Sequence, residues 1–274
     1  MDCFLACLRV THRELFAEWS AFGPGDFDWP SACPGWTVRD VVAHLRTLVS
    51  RYPLAVVRGL NGEVTPFWLY PLPGEDYAAA DRREVTELRA RPGWALVTEF
   101  AAGAAILVEL FARLSPEDAE APAGTPRGTF KARHVPFFYI YELGLHDWDI
   151  RAAFDPAAGI RPSLAPAFAR ILRSRLPSLV RRPDDPAGMP DRVRLSLSAP
   201  IDQVWQVVRG DRGYQVTEAP AATGDETEIR TDLTTLALVT SGRLSAAGAL
   251  DRGAWRAADR DLALRFGALF AGPV

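Results

Sequence analysis

Apolar residues at Phe4, Leu5, Leu8, Leu15, Phe16 and Trp19 recur at helical spacing and predict a first amphipathic helix over residues 2–19. A loop rich in turn formers follows, with Pro24, Gly25, Pro30, Pro34 and Gly35. Thr37, with Asp40 three residues on, forms a capping-box-like pair that opens a second helix running to about Arg58, with a kink expected at Pro53. Residues 61–80 read as a connection rich in proline and aromatic residues, and the large apolar groups of 66–72 (PFWLYPL) suggest a pocket wall or lid. A long helix is predicted over 93–114, extending back to Glu84 if Pro92 only kinks it, and Ser115-Pro116 stops it. Beyond a Gly/Pro-rich stretch at 122–128, a fourth helix covers 135–154. Four helices with these lengths and connections predict a bundle.

The pattern changes near residue 155. The run DPAAGIRPS reads as a linker, 164–180 as an amphipathic helix, and RRPDDPAGMPD as a second turn-rich link. Alternating or β-rich runs at 193–198, 203–208, 213–218 and 227–232 predict short strands, and two helices at 233–241 and 255–270 close the chain. The expected fold class is therefore α+β: a four-helix bundle over 1–158, then a small α+β domain over 159–274.

Composition narrows the function classes. The chain has 274 residues, 48% hydrophobic and 24% charged, as in an ordinary globular protein. A net charge of -3 gives no electrostatic case for nucleic acid or an anionic membrane as partner. No apolar run of about 18 residues stands out as a membrane span. The first ten residues lack a basic segment and are interrupted by Arg9, so no signal peptide is expected and the location reads as cytoplasmic. Cys3, Cys7 and Cys33 make an odd count without a CxxC pair, the pattern of thiols in a reducing compartment; Cys3 and Cys7 share a helix face.

The candidate chemistry lies in FFYIYELGLHDWDI, an apolar helix carrying a few ionisable groups. Glu142 and His146 are four apart and project from one face, with Asp149 three further along the same stripe. A carboxylate and an imidazole are costly inside a bundle unless each has a strong partner, and a divalent metal is such a partner. The best third ligand is His44, two turns into TVRDVVAHL and flanked by Val41, Val42 and Leu45. Two histidines and a glutamate with open positions make a catalytic zinc arrangement. Asp149 and Asp40 are candidates to hold a ligand imidazole from behind. On spacing alone, an i,i+4 Glu–His pair is more often a solvated helix contact, a lone His44 a satisfied core histidine, and Asp40 a plain capping residue. His12 and His134 read as surface residues, His134 standing in reserve as a ligand because it adjoins the site helix.

Together, CPGWTVRDVVAHL (33–45) and ELGLHDWDI (142–150) resemble the mycothiol-dependent maleylpyruvate isomerase family, part of the wider DinB-like group of four-helix metalloproteins. The resemblance implies that His44, Glu142 and His146 bind a divalent metal, zinc by its ligand set, and that Asp149 has a counterpart in the family. It covers the whole chain, since the strand–Trp205–strand–strand–helix order of 192–266 is similar to the sterol-carrier-like C-terminal domain of those isomerases. Relatives often carry an arginine just before the glutamate–histidine pair, where this chain has Tyr139, Ile140 and Tyr141.

The resemblance further implies a thiol cosubstrate, mycothiol or another low-molecular-weight thiol, and a small electrophilic substrate. The reaction it implies is cis–trans isomerisation of a conjugated acid; an S-transferase on the same scaffold is the main alternative. A non-enzymatic small-molecule binder and a metal-water hydrolase are further alternatives, separable by stimulation with added thiol. Arg46, Arg82, Arg83, Arg151 and Arg243 are possible clamps for a dicarboxylate, and none is assigned.

Overall fold

Burial along the first helix follows the apolar stripe. In the computed structural model, α1 (Asp2–Ser20) buries Phe4, Leu5, Leu8, Leu15 and Trp19. The model describes residues 2–64, 76–125, 128–181, 188–211, 213–220 and 227–271, so the aromatic run 66–72 lies outside the described residues. The chain divides into two compact units, Met1–Leu164 and Ala165–Val274.

In the first unit, α2 (Val38–Leu60) is the central helix, packing against α4 (Gly93–Arg113) and α5 (Val135–Arg151), while α1 packs against α4. Its start is fixed by both bonds of a capping box: the Asp40 amide donates to Thr37 Oγ1, and the Thr37 amide donates to Asp40 Oδ2. A further helix, α3 (Tyr77–Leu88), corrects the expected connection over 61–80 and the expected extension back to Glu84. Asp76 caps it by accepting the Ala79 amide at 2.7 Å. Pro92, with ψ 137°, is the N-cap of α4, so the chain breaks there instead of kinking.

Phe100, Ala104, Leu107 and Phe111 turn the inner stripe of α4 into the bundle. By length and composition α4 is also long and apolar enough to cross a membrane, as a bundle's core helix can be, although Glu99 and Glu109 interrupt its apolar run. A hairpin not foreseen in the sequence, β1 (Pro122–Thr125) with β2 (Gly128–Lys131), leads into α5. Its backbone passes so close to α2 that a Cβ at Gly59 would lie 1.7 Å from the Pro122 carbonyl oxygen. The helix α5 is buried on nearly every face, with Val135, Tyr139, Ile140, Leu143 and Ile150 fully enclosed. Its buried Asp147 is bonded by Arg151 and by Arg161, which also reaches Glu18 of α1.

The second unit pairs helices with a five-stranded sheet of order β5-β4-β3-β6-β7. The strands are β3 (Arg192–Leu197), β4 (Gln203–Gly210), β5 (Gly213–Ala219), β6 (Glu228–Thr231) and β7 (Arg256–Ala257). β3, β4 and β5 form an antiparallel meander, and β6 runs parallel to β3. The register sets Leu195 opposite both Trp205 and Ile229, all three fully buried. The helices are α6 (Ala165–Leu179), α7 (Leu233–Thr240), α8 (Ala246–Asp251) and α9 (Arg260–Ala268). The final helix expected from 255 begins only at Arg260, because Arg256 and Ala257 pair with β6 and complete the sheet edge. The α+β fold class read from the sequence is the one the chain adopts.

Candidate metal centre

Three donors from two helices converge. His44 comes from the second turn of α2, and Glu142 and His146 from successive turns of α5; their nearest ligand atoms all lie within 4.8 Å of one another. Both histidines are buried, each 8% exposed. The imidazoles meet edge-on at 4.7 Å between centroids, and His146 Nε2 lies 3.6 Å from Glu142 Oε2.

Each imidazole has a carboxylate on its Nδ1 side. His146 Nδ1 hydrogen-bonds Asp149 Oδ2 at 2.9 Å, and the Asp149 side chain is fully enclosed. His44 Nδ1 lies 2.9 Å from Asp81 Oδ2 on α3, close enough for an ion pair but poorly aligned for a hydrogen bond. Burial pushes the Asp81 carboxyl up, yet the His44 imidazole and the Arg51 guanidinium outweigh it and hold Asp81 below its ordinary value.

Asp40, considered as a backing group for a ligand histidine, has other partners. One oxygen takes the Thr37 amide and hydroxyl, and Arg89 bonds both oxygens at 2.8 and 2.7 Å. Its partners, Thr37 and Arg89, are charge and cap partners; the carboxylate behind His44 is Asp81. Sequence reasoning missed Asp81 because it fell at the edge of a stretch read as a connection.

The loop before α2 forms a wall of the centre. The Ala32 amide donates to the Asp149 carbonyl, Ser31 and Trp36 bond across the turn, and Gly35 sits at φ 79° to make that turn. Trp36 is thereby laid nearly parallel to His146, 10° and 6.1 Å away, and edge-on to His44 at 5.4 Å. The same loop brings Cys33 within 4.8 Å of donor atoms of His146 and Asp149. This thiol stands much nearer the centre than its place in the sequence suggests.

Other candidates fall elsewhere. His12, expected at the surface, is turned into the bundle and hydrogen-bonds Tyr139 Oη at 2.8 Å. His134 lies in the turn before α5, 5.9 Å from the Phe137 ring and outside the close donor sets found among the described residues. Arg46 is paired with Glu99 and Arg151 with Asp147, so both are already engaged.

The donor chemistry fits a divalent metal. Among the described residues, His44 Nε2 is buried without a hydrogen-bond partner, a costly state that coordination would relieve. Two imidazoles and one carboxylate are a common zinc set that leaves coordination positions open. With Asp149 bonded to Nδ1 of His146 and Asp81 beside Nδ1 of His44, the Nε2 edge of each ring is the one suited to ligation.

Residues 8–151 match the family model described as the mycothiol maleylpyruvate isomerase N-terminal domain. The chain is also similar to two crystal structures, titled as the mycothiol-dependent maleylpyruvate isomerase and a histidine-to-alanine mutant of it. Each superposes with a TM-score of 0.61 at 19% identity, covering 88% of this chain and 89% of the other. A comparison with curated proteins found no match.

Proposed function

The chain belongs to the mycothiol maleylpyruvate isomerase N-terminal domain family, and from that premise we propose that it is a metal-dependent, thiol-using enzyme acting on a small conjugated electrophile. The observation that carries the reading is the convergence of His44, Glu142 and His146, with His44 Nε2 buried and unpartnered among the described residues. Maleylpyruvate-like cis–trans isomerisation is the reaction best supported, because it is the one named for both similar structures.

In this reading His44 and His146 would ligate through Nε2 and Glu142 through its carboxylate. A bound divalent cation, zinc by the donor set, supplies the positive charge that keeps a thiol deprotonated near neutral pH. Asp149 fixes the ring of His146, and Trp36 shields one side of both imidazoles from water. The thiol sulfur adds to the conjugated cis double bond and the new single bond rotates. Elimination of the sulfur then releases the trans product and regenerates the thiol. Retention of the adduct instead would make the enzyme an S-transferase.

The test measures metal content and thiol-dependent turnover in the wild type and in His44→Ala, Glu142→Ala and His146→Ala. The expected result is about one divalent metal per wild-type chain and loss of metal in each variant. Turnover of maleylpyruvate should require both metal and added mycothiol. Unchanged metal content in all three variants overturns the site; metal-dependent turnover without thiol overturns the thiol chemistry. Accumulation of a stable thiol adduct moves the reaction to S-transfer.

A further inference from the structure

The two imidazoles of the centre are backed differently, and the difference has a local cause. On α5 the carboxylate three residues after His146, Asp149, reaches its Nδ1. The equivalent position on α2 is Thr47, whose hydroxyl donates to the His44 carbonyl at 2.7 Å. One turn before His44 stands Asp40, whose oxygens are held by Thr37 and Arg89. The turns of α2 on either side of His44 therefore offer no free carboxylate, and the group beside Nδ1 comes from α3 instead: Asp81, with Oδ2 2.9 Å away.

Asp81 is itself anchored. Its other oxygen, Oδ1, takes Arg51 Nη1 at 3.1 Å, and Arg51 is a buried residue of α2, seven positions after His44. Asp81 thus divides its two oxygens between a guanidinium and an imidazole. A second carboxylate, Glu84, lies beside Arg51 three residues further along α3, so Asp81 is not the one acidic group within its reach.

We propose that Asp81 is a positioning residue of the metal centre, holding His44 in the tautomer and orientation that turn Nε2 toward Glu142 and His146, and that Arg51 sets the rotamer of Asp81. The proposal rests on the metal reading above. It makes α3 part of the centre although it contributes no ligand. Groups that orient a ligand histidine from behind are worth about 10- to 100-fold in metal affinity.

The experiment is a double-mutant cycle on the full chain: wild type, Asp81→Ala, Arg51→Met and the double variant, with Asp81→Asn as a milder change. Zinc affinity is read by competition with a chromogenic chelator, and the ligand field by the visible spectrum of the cobalt-loaded protein. Melting of the metal-free forms verifies folding. The expected result is a roughly 10- to 100-fold loss of affinity for Asp81→Ala with an altered cobalt spectrum, a smaller loss for Arg51→Met, and a double variant no weaker than Asp81→Ala alone, because Arg51 acts through Asp81. Asp81→Asn should fall between, since an amide oxygen keeps a dipole beside Nδ1 without the charge. Wild-type affinity and spectrum in Asp81→Ala, or wild-type affinity in the double variant, overturns the proposal and makes Asp81 a counter-ion only. His44→Ala run alongside separates the two levels: if it retains wild-type metal content, the metal reading fails and this proposal with it.

Discussion

Acid should loosen the contact between α1 and the site helix through one residue, His12. Its Nε2 is 2.8 Å from the hydroxyl of the fully buried Tyr139, and its ring meets Phe100 edge-on at 5.8 Å. Burial pushes its pKa down to about 3, so the folded protein keeps this imidazole neutral. In the unfolded chain the same group titrates near 6.5. The folded value is the lower one, so its stabilising effect is full above about pH 6.5 and declines as pH falls toward the folded value.

Integrating the linkage relation between those two values gives a loss of about 0.7 kcal/mol from pH 7 to 6 and about 2 kcal/mol from pH 7 to 5. Moving the folded value up by a full unit changes the pH 5 figure by less than about 0.1 kcal/mol, because the unfolded titration dominates there. The perturbation is His12→Gln, which keeps an amide near the Tyr139 hydroxyl and cannot titrate. Urea unfolding of both proteins at pH 7, 6 and 5, with metal chelated, isolates the effect. His44, His146 and the carboxylates are common to both and cancel in the difference. Wild type should lose about 2 kcal/mol more than His12→Gln by pH 5. Parallel stability–pH curves for the two proteins would show that His12 is not held neutral, and would refute the reasoning.

Much of this architecture was legible because it rests on local rules. The Thr37–Asp40 box, the stripe of α1 and the strand alternation around Trp205 each follow from side chains a few residues apart. The Glu142–His146 pair was legible for the same reason: four residues in a helix make one face. His44 was harder, since its approach to α5 depends on helix packing; its place among Val41, Val42 and Leu45 made it the best third ligand, and the resemblance of CPGWTVRDVVAHL to a known family strengthened the choice.

What stayed hidden depends on tertiary placement. Asp81 looked like one acidic residue at the end of a loop, and only a separate α3 lying beside α2 makes it the neighbour of His44. Cys33 is brought to His146 by a tight turn that a sequence shows only as Pro34-Gly35. His12 looked exposed because polar residues surround it, whereas its position faces Tyr139 and Phe100 across the bundle. Apolar periodicity marks which faces are buried, and an isolated histidine on such a face leaves no separate mark.

Two further outcomes follow from the buried carboxylates. Asp40→Ala should lower stability at pH 7 by about 1–2 kcal/mol through loss of the helix cap, more if the tie to Arg89 adds to it. Burial raises the Asp40 carboxyl, but the bonds from Arg89 and Thr37 outweigh it and leave it below its ordinary value. Its contribution is therefore present above the unfolded carboxyl value of about 3.9 and lost as pH falls through the folded one, so the gap between mutant and wild type should shrink in acid melts. Asp147→Ala should cost more. That side chain is fully enclosed and accepts from both Arg151 and Arg161, the latter only 11% exposed and also bound to Glu18. Removing the shared acceptor leaves two guanidinium groups competing for partners at the end of α5, and breaking a buried pair in this way typically costs about 3–5 kcal/mol. Asp147→Asn keeps an acceptor without the charge and should lose less. The measurement is urea unfolding of the metal-free protein; a loss within experimental error for Asp147→Ala would mean that solvent already screens this cluster and that Glu18 alone suffices for Arg161.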